Sequence, residues 1–144
     1  MKKDKVLVIE DESEYAELIK DVLSSGNYDV DIAVNGKIGL EKYIEFMPDL
    51  ILCDINMPVM NGIEFLKKIR ETTTKESLPV IMITAWGVSD YELETLYAGA
   101  NDFIVKDSSH KSWLIRIQNQ LTTKRKIHTT QNEFLKSKEI HQND

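Results

Sequence analysis

A single cysteine, Cys53, stands among the 144 residues, so no disulfide can close within the chain. It lies inside an apolar run, where a thiol serves as small buried filler, and a cytoplasmic home is the expectation. Long apolar runs are missing too. None approaches the roughly 18 residues that cross a bilayer. The opening "MKKDKVLVIEDE" meets acids after about four apolar residues, too soon for a signal peptide. Positive charge is scarce: 18 Lys and Arg face 24 Asp and Glu, for a formal net charge of −6. That argues against a general nucleic-acid binder. His110, His128 and His141 are scattered without metal spacing, so solvent exposure is expected of them. No glycine-rich phosphate loop follows the first apolar run; "EDESEY" stands there and would repel a flavin phosphate. Internal repeats and low-complexity blocks are absent as well.

What remains is 42% hydrophobic and 29% charged, enough for one domain with a real core. "KVLVIE" reads as a buried strand. Tyr15, Leu18, Ile19 and Val22 fall at helical spacing, and Gly26 offers a stop. "YDVDIAV" alternates, with Val30, Ile32 and Val34 on one side and Asp29, Asp31 and Ala33 on a wetter one, as near a sheet edge. "NGKIGLEKYIEF" is helical until Pro48 ends it. "DLILCD" is a solid apolar strand, and "NGIEFLKKIRET" is a helix with Ile63, Leu66 and Ile69 aligned. "LPVIMITA" is a strand. "SDYELETLYAGA" is a helix capped by Ser89 or Asp90, "NDFIVK" a strand, and "SSHKSWLIRIQNQL" opens the last helix on Trp113, Leu114, Ile117 and Leu121. Strand and helix thus alternate about five times. The expectation is an α/β fold: a doubly wound, five-stranded parallel sheet with helices on both faces.

A parallel sheet sends its strand ends to one edge, and ligands bind there at the switch point of strand order. The first strand ends in Glu10 and Asp11, the third in Asp54, the fourth in Thr84 and Ala85, the fifth in Lys106. In a flavodoxin-like order, 2-1-3-4-5, Glu10, Asp11 and Asp54 share one pocket, with Thr84 and Lys106 on its far side. Three crowded carboxylates repel. Mg²⁺ (or Mn²⁺) relieves the conflict, taking carboxylates, waters and phosphate oxygens as ligands. Lysine and threonine suit a phosphoryl group. Asp54 then reads as a nucleophile that forms an aspartyl-phosphate. Pro58 fixes a turn, Gly62 supplies backbone freedom, and the loop brings a carbonyl, that of Asn56, onto the metal.

"VLVIEDE", "DLILCDINMPVMNG", "PVIMITA" and "DFIVK" resemble the receiver domain of two-component response regulators. The resemblance covers roughly residues 4 to 121. It implies that Asp54 is the phosphoacceptor, Asp11 a direct metal ligand, and Glu10 a second acid reaching the metal through water. Asn56 matches the carbonyl donor, Thr84 the switch hydroxyl, Lys106 the salt-bridging lysine and Phe103 the aromatic that turns inward. It implies a histidine kinase or phosphotransfer protein as phosphodonor, and an output domain or downstream protein as reader. The only chemistry it implies is the domain's own phosphorylation and dephosphorylation. Nucleic acid and membrane are not expected as direct partners; a dimer is compatible. Two departures stand out. Glu10-Asp11 replaces the commoner Asp-Asp. Asp107 replaces the usual proline after the lysine, which favours a trans bond, since a non-proline cis bond costs about 2.5–4 kcal/mol; its charge also weakens the grip of Lys106 on phosphate.

Each residue also has a plainer reading. Glu10 and Asp11 can cap the first helix, worth about 0.3–1 kcal/mol. Thr84 can be an ordinary strand residue, Lys106 a solvated charge and Phe103 core. Trp86 either shields the phosphoryl group from water or touches a partner. A dehalogenase-like phosphatase also uses aspartate and Mg²⁺, but it wants an acid where Asn56 stands. The reading that competes more closely is a receiver-like interaction module that is never phosphorylated. Residues 1–121 form the receiver unit and 122–144 a polar tail, with five basic residues against three acids, 5 − 3 = +2, leaving −8 for the rest. The tail is expected to be a helical extension or linker, a partner contact, or disordered. Its a/d spacing is too poor for a strong coiled coil.

Overall fold

The computed structural model describes residues 2–85, 94–96 and 98–142, with side chains of the last helix described through 139. The elements are β1 (Lys5–Ile9), α1 (Ser13–Ser25), β2 (Asp29–Ala33), α2 (Gly36–Phe46), β3 (Leu50–Asp54), α3 (Gly62–Ile69), β4 (Val80–Thr84), β5 (Asp102–Val105) and α4 (His110–Gln142). Every strand pairing is parallel and the order is β2-β1-β3-β4-β5. This is the doubly wound sheet that the alternation predicts. The helix expected over "SDYELETLYAGA" lies mostly outside the described residues, and so do Ser89, Asp90 and Trp86. Its described end is a helical turn at 94–96 closed by Gly99, whose φ of 105° suits glycine.

Strand side chains alternate between two apolar layers. Leu7, Ile9, Ile51, Cys53, Val80 and Met82 meet α3 through Phe65, Leu66 and Ile69, and α2 through Ile38, Leu40 and Tyr43. Val6, Val8, Leu50, Leu52, Ile81, Ile83 and Ile104 meet α1 and α4 through Ile19, Leu23, Trp113, Ile117 and Leu121. Full burial on both faces explains why β1, β3 and β4 read as unbroken apolar runs. Cys53 is filler as expected, fully buried, its thiol pushed up by burial.

Some local expectations need correction. Leu18 is 40% exposed; the buried stripe of α1 runs through Ala16, Ile19 and Leu23. β2 stops at Ala33, so Val34 is exposed, whereas Ala33 on the supposedly wetter side is buried in the α2–α3 layer. Helix α2 does end at Phe46, two residues before Pro48, as expected. Met47 turns left-handed at φ 53° while its amide bonds the Tyr43 carbonyl, because a residue preceding proline avoids the helical region. The tail carries helix: α4 runs unbroken to Gln142. Lys124 donates to the Asp49 carbonyl at 3.2 Å and Arg125 to Asp4 at 2.8 Å, and residues 128–139 are exposed. No helix among the described residues is long and apolar enough to cross a membrane.

Candidate functional site at the carboxyl edge of the sheet

Period-two alternation carries the chemistry to one place. Val6 and Val8, Leu50 and Leu52, and Ile104 face α1 and α4. Two residues beyond the last of each come Glu10, Asp54 and Lys106. Glu10 and Asp54 are 1% and 4% exposed. Lys106 Nζ lies 3.0 Å from Glu10 Oε2 and 3.5 Å from Asp54 Oδ2. Asp11, exposed at the rim, contributes a third carboxylate. One oxygen from each of Glu10, Asp11 and Asp54 lies within 4.8 Å of the others, the one such cluster among the described residues.

The electrostatics of this cluster are unfavourable as it stands. Burial first, then the charge of Asp54, lifts the Glu10 carboxyl from 4.5 to about 7 despite Lys106. Asp54 is raised too, by burial, although Lys106 and the Ile55 amide at 2.9 Å pull it back. Burial works against the Lys106 charge, yet the attraction of Glu10 and Asp54 outweighs it and raises the lysine. One Glu10 oxygen, Oε1, accepts the amide of Glu12, the residue just before α1, at 3.3 Å, and among the described residues no side chain caps the first turn of the helix. The other, Oε2, is buried and faces the Lys106 ammonium alone, at 3.0 Å. Three carboxylates converging at a largely buried edge, with one ammonium between two of them, fit a hard divalent cation such as Mg²⁺.

The remaining expected residues surround this cluster. Thr84 is buried at the end of β4, paired in register with Val105, and its carbonyl accepts the Lys106 amide at 2.7 Å. Phe103, half-buried, packs against the α2–α3 layer. Ala85 is exposed. Asn56 is exposed at the start of the loop after β3, two residues past Asp54. Asp107 is exposed, and the Lys106–Asp107 peptide is trans. His110 and His128 are exposed as expected, and the side chain of His141 lies outside the described residues.

The loop after Asp54 is shaped differently from expectation. Gly62 is needed for close approach rather than for backbone freedom: a Cβ there would collide with the Asp54 carbonyl oxygen. The turn centres on Val59, at φ 71°, with the Met60 amide bonded to the Pro58 carbonyl at 2.8 Å. This is a γ-turn of the strained, positive-φ kind. Asn61 caps α3 by accepting the Glu64 amide at 2.9 Å. The Asn-x-x-Glu spacing ahead of an apolar run was the available signal.

Tyr15 is the site residue that helical spacing hid, because it read as part of the apolar stripe of α1. Its hydroxyl donates to the Lys106 carbonyl at 3.2 Å, and its ring centroid lies 4.4 Å from Lys106 Nζ. Its position four residues after Asp11, one helical turn in, was the signal.

The sequence model of the response regulator receiver domain matches residues 6–118. A response regulator ArlR of Staphylococcus saprophyticus is 41% identical over 117 residues, 81% of this chain and 52% of the relative. The transcriptional regulatory protein ResD of Bacillus subtilis is 38% identical over 114 residues, 79% of this chain and 46% of the relative. The chain thus spans about half the length of these curated relatives. A CheY-like receiver domain protein from Methanospirillum hungatei superposes with a TM-score of 0.80 at 27% identity, covering 87% of this chain and 98% of that one. For a response regulator from Chloroflexus aurantiacus the score is 0.79 at 30% identity, with 84% and 99% covered.

Proposed function

The chain belongs to the response regulator receiver family, whose domains are switches of two-component signalling, and on that premise we propose a Mg²⁺-dependent phosphoacceptor centred on Asp54. The observation that carries this reading is the convergence of Glu10, Asp11, Asp54 and Lys106 at one sheet edge, three carboxylates sharing a single ammonium. Asp11, Asp54 and the Asn56 carbonyl would hold the cation, with Glu10 reaching it through water, and Mn²⁺ would serve in place of Mg²⁺. When bound, the cation neutralises the carboxylates and the oxygens of the incoming phosphoryl group.

The chain's own residues do the rest. An Asp54 oxygen attacks the phosphorus of a phosphohistidine on a kinase or phosphotransfer protein. The P–N bond breaks, and the imidazole leaves with the electron pair and takes up a proton. Hydrolysis later restores the carboxylate and releases phosphate. Lys106 lies beside the acceptor oxygens as a fixed positive charge, and Thr84 at the neighbouring strand end supplies a hydroxyl donor. Phosphorylation replaces one carboxylate charge by about −1.5 to −2, drawing Lys106 and Thr84 toward it and freeing Phe103 to repack. A partner that prefers that state reads the change. Residues 1–121 act as the receiver, and the tail in α4 links it to an output domain or a downstream protein. The setting is cytoplasmic.

Incubation with acetyl phosphate tests this. Wild type should gain one phosphoryl group by mass in Mg²⁺ and none in chelator, and Asp54→Asn should gain none. Equal modification of Asp54→Asn would remove Asp54 as the acceptor. A never-phosphorylated interaction module is the second reading, favoured by Asp107 in the place of proline; the same assay decides, since such a module stays unmodified.

A further inference from the structure

We propose that Tyr15 is a positioning residue for Lys106, a role that rests on the phosphoacceptor reading above and that nothing in the motif set assigns. The lysine must keep its ammonium at the Glu10–Asp54 oxygens, yet it leaves β5 into a turn at 106–107 with no proline to stiffen it. Tyr15 grips it at both ends. The phenol oxygen donates to the Lys106 carbonyl at 3.2 Å, and the ring face lies 4.4 Å from the ammonium nitrogen. The first contact fixes the backbone where the side chain departs. The second offers the ammonium a favourable surface in addition to the carboxylates.

Tyr15 is itself held firmly enough to serve as a platform. Trp113 meets its ring edge-on, centroids 6.1 Å apart at 64°. Trp113 is 1% exposed and its Nε1 donates to Ser108 Oγ at 2.9 Å. Ser108 Oγ in turn donates to the Val105 carbonyl at 2.6 Å, one residue before the lysine. The turn is therefore tied from β5 through Ser108 and Trp113 to Tyr15, and back to Lys106. The hydroxyl remains a donor at every working pH, since burial, with Glu10 and Asp54 behind it, pushes it up to about 12.

The test uses Tyr15→Leu, which removes ring and hydroxyl, and Tyr15→Phe, which removes the hydroxyl alone. The first readout needs no phosphorylation. In wild type the ring face shifts the Lys106 ε-methylene proton resonance upfield; Tyr15→Phe should keep that shift and Tyr15→Leu should lose it. The second is the rate of modification by acetyl phosphate in saturating Mg²⁺. Tyr15→Leu should slow it about tenfold, the scale of one desolvated cation–π contact. Affinity for Mg²⁺ should not fall, because a displaced Lys106 no longer competes for Glu10 and Asp54; a general loss of structure would weaken both. In a Lys106→Ala background, Tyr15→Leu should slow the rate no further. An undisplaced Lys106 resonance in wild type, or an equal slowing with and without the lysine, overturns the proposal. If wild type takes no phosphoryl group at all, the phosphoacceptor reading fails instead, and the resonance still decides whether Tyr15 places Lys106.

Discussion

Replacing Glu10 by glutamine should stabilise the metal-free protein, and increasingly so as the pH rises. The Glu10 carboxyl moves from 4.5 to about 7 on folding, by burial first and by Asp54 second. A carboxyl with a raised folded pKa binds its proton more tightly in the folded state. Its contribution is fully present below pH 4.5 and is lost as the pH climbs through about 7. The gap, 7 − 4.5 = 2.5, converts at about 1.4 kcal/mol per unit to about 3 kcal/mol. Glutamine has the same shape and cannot ionise, so Glu10→Gln escapes that loss. Urea unfolding in chelator at a series of pH values from about 5 to 8.5 should show the variant's advantage over wild type growing by about 3 kcal/mol. Comparison with wild type removes the titrations of groups that do not interact with Glu10, and those of Asp54 and Lys106 shift with it. With Mg²⁺ in excess the advantage should vanish, because the ionised carboxylate then has a cation to face. A difference that stays flat across this range in chelator would refute the crowding of Glu10 against Asp54 in a buried site.

Saturating Mg²⁺ should raise the thermal midpoint of wild type, by about 2.7 kcal/mol of stability at a hundred times Kd, and chelator should reverse it. Gly62→Ala forces a Cβ onto the Asp54 carbonyl oxygen and should cost about 3 kcal/mol or more in urea unfolding. Val59→Gly relieves the strained φ of 71° and should stabilise by about 1 kcal/mol in the same assay. Arg70 donates to the carbonyls of Gly99, Thr74 and Leu78 and to Asn101 Oδ1, so Arg70→Ala should destabilise by about 3 kcal/mol.

The architecture was legible because it rests on period. Strands buried on both faces must be apolar throughout, and β1, β3 and β4 are. The same two-residue step that puts Val8, Leu52 and Ile104 on one face delivers Glu10, Asp54 and Lys106 to it. Once a parallel sheet is inferred, that meeting follows. What stayed hidden depends on three-dimensional proximity rather than on period. Nothing local marks Gly62 as lying against a carbonyl, as opposed to occupying an unusual φ. Val59 is a β-branched residue that local preference would never place at positive φ; the anchoring of the loop at both ends imposes it. Tyr15 looks like any apolar residue of an amphipathic helix until the fifth strand arrives beside it. The left-handed turn of Met47 just past the end of α2 at Phe46 is a boundary detail that capping geometry alone decides.

Helix α4 has a mechanical consequence. Its 33 residues form one rod of about 50 Å. The end near His110 carries Trp113, which packs on Tyr15 and bonds Ser108 in the turn that follows Lys106. The far half projects into solvent past Arg125. A rod clamped at one end is a lever: a tilt of about 10° at Leu121 sweeps the far tip, about 30 Å on, through about 5 Å. Displacements near the carboxylates too small to notice there would leave this domain as movements the width of a side chain.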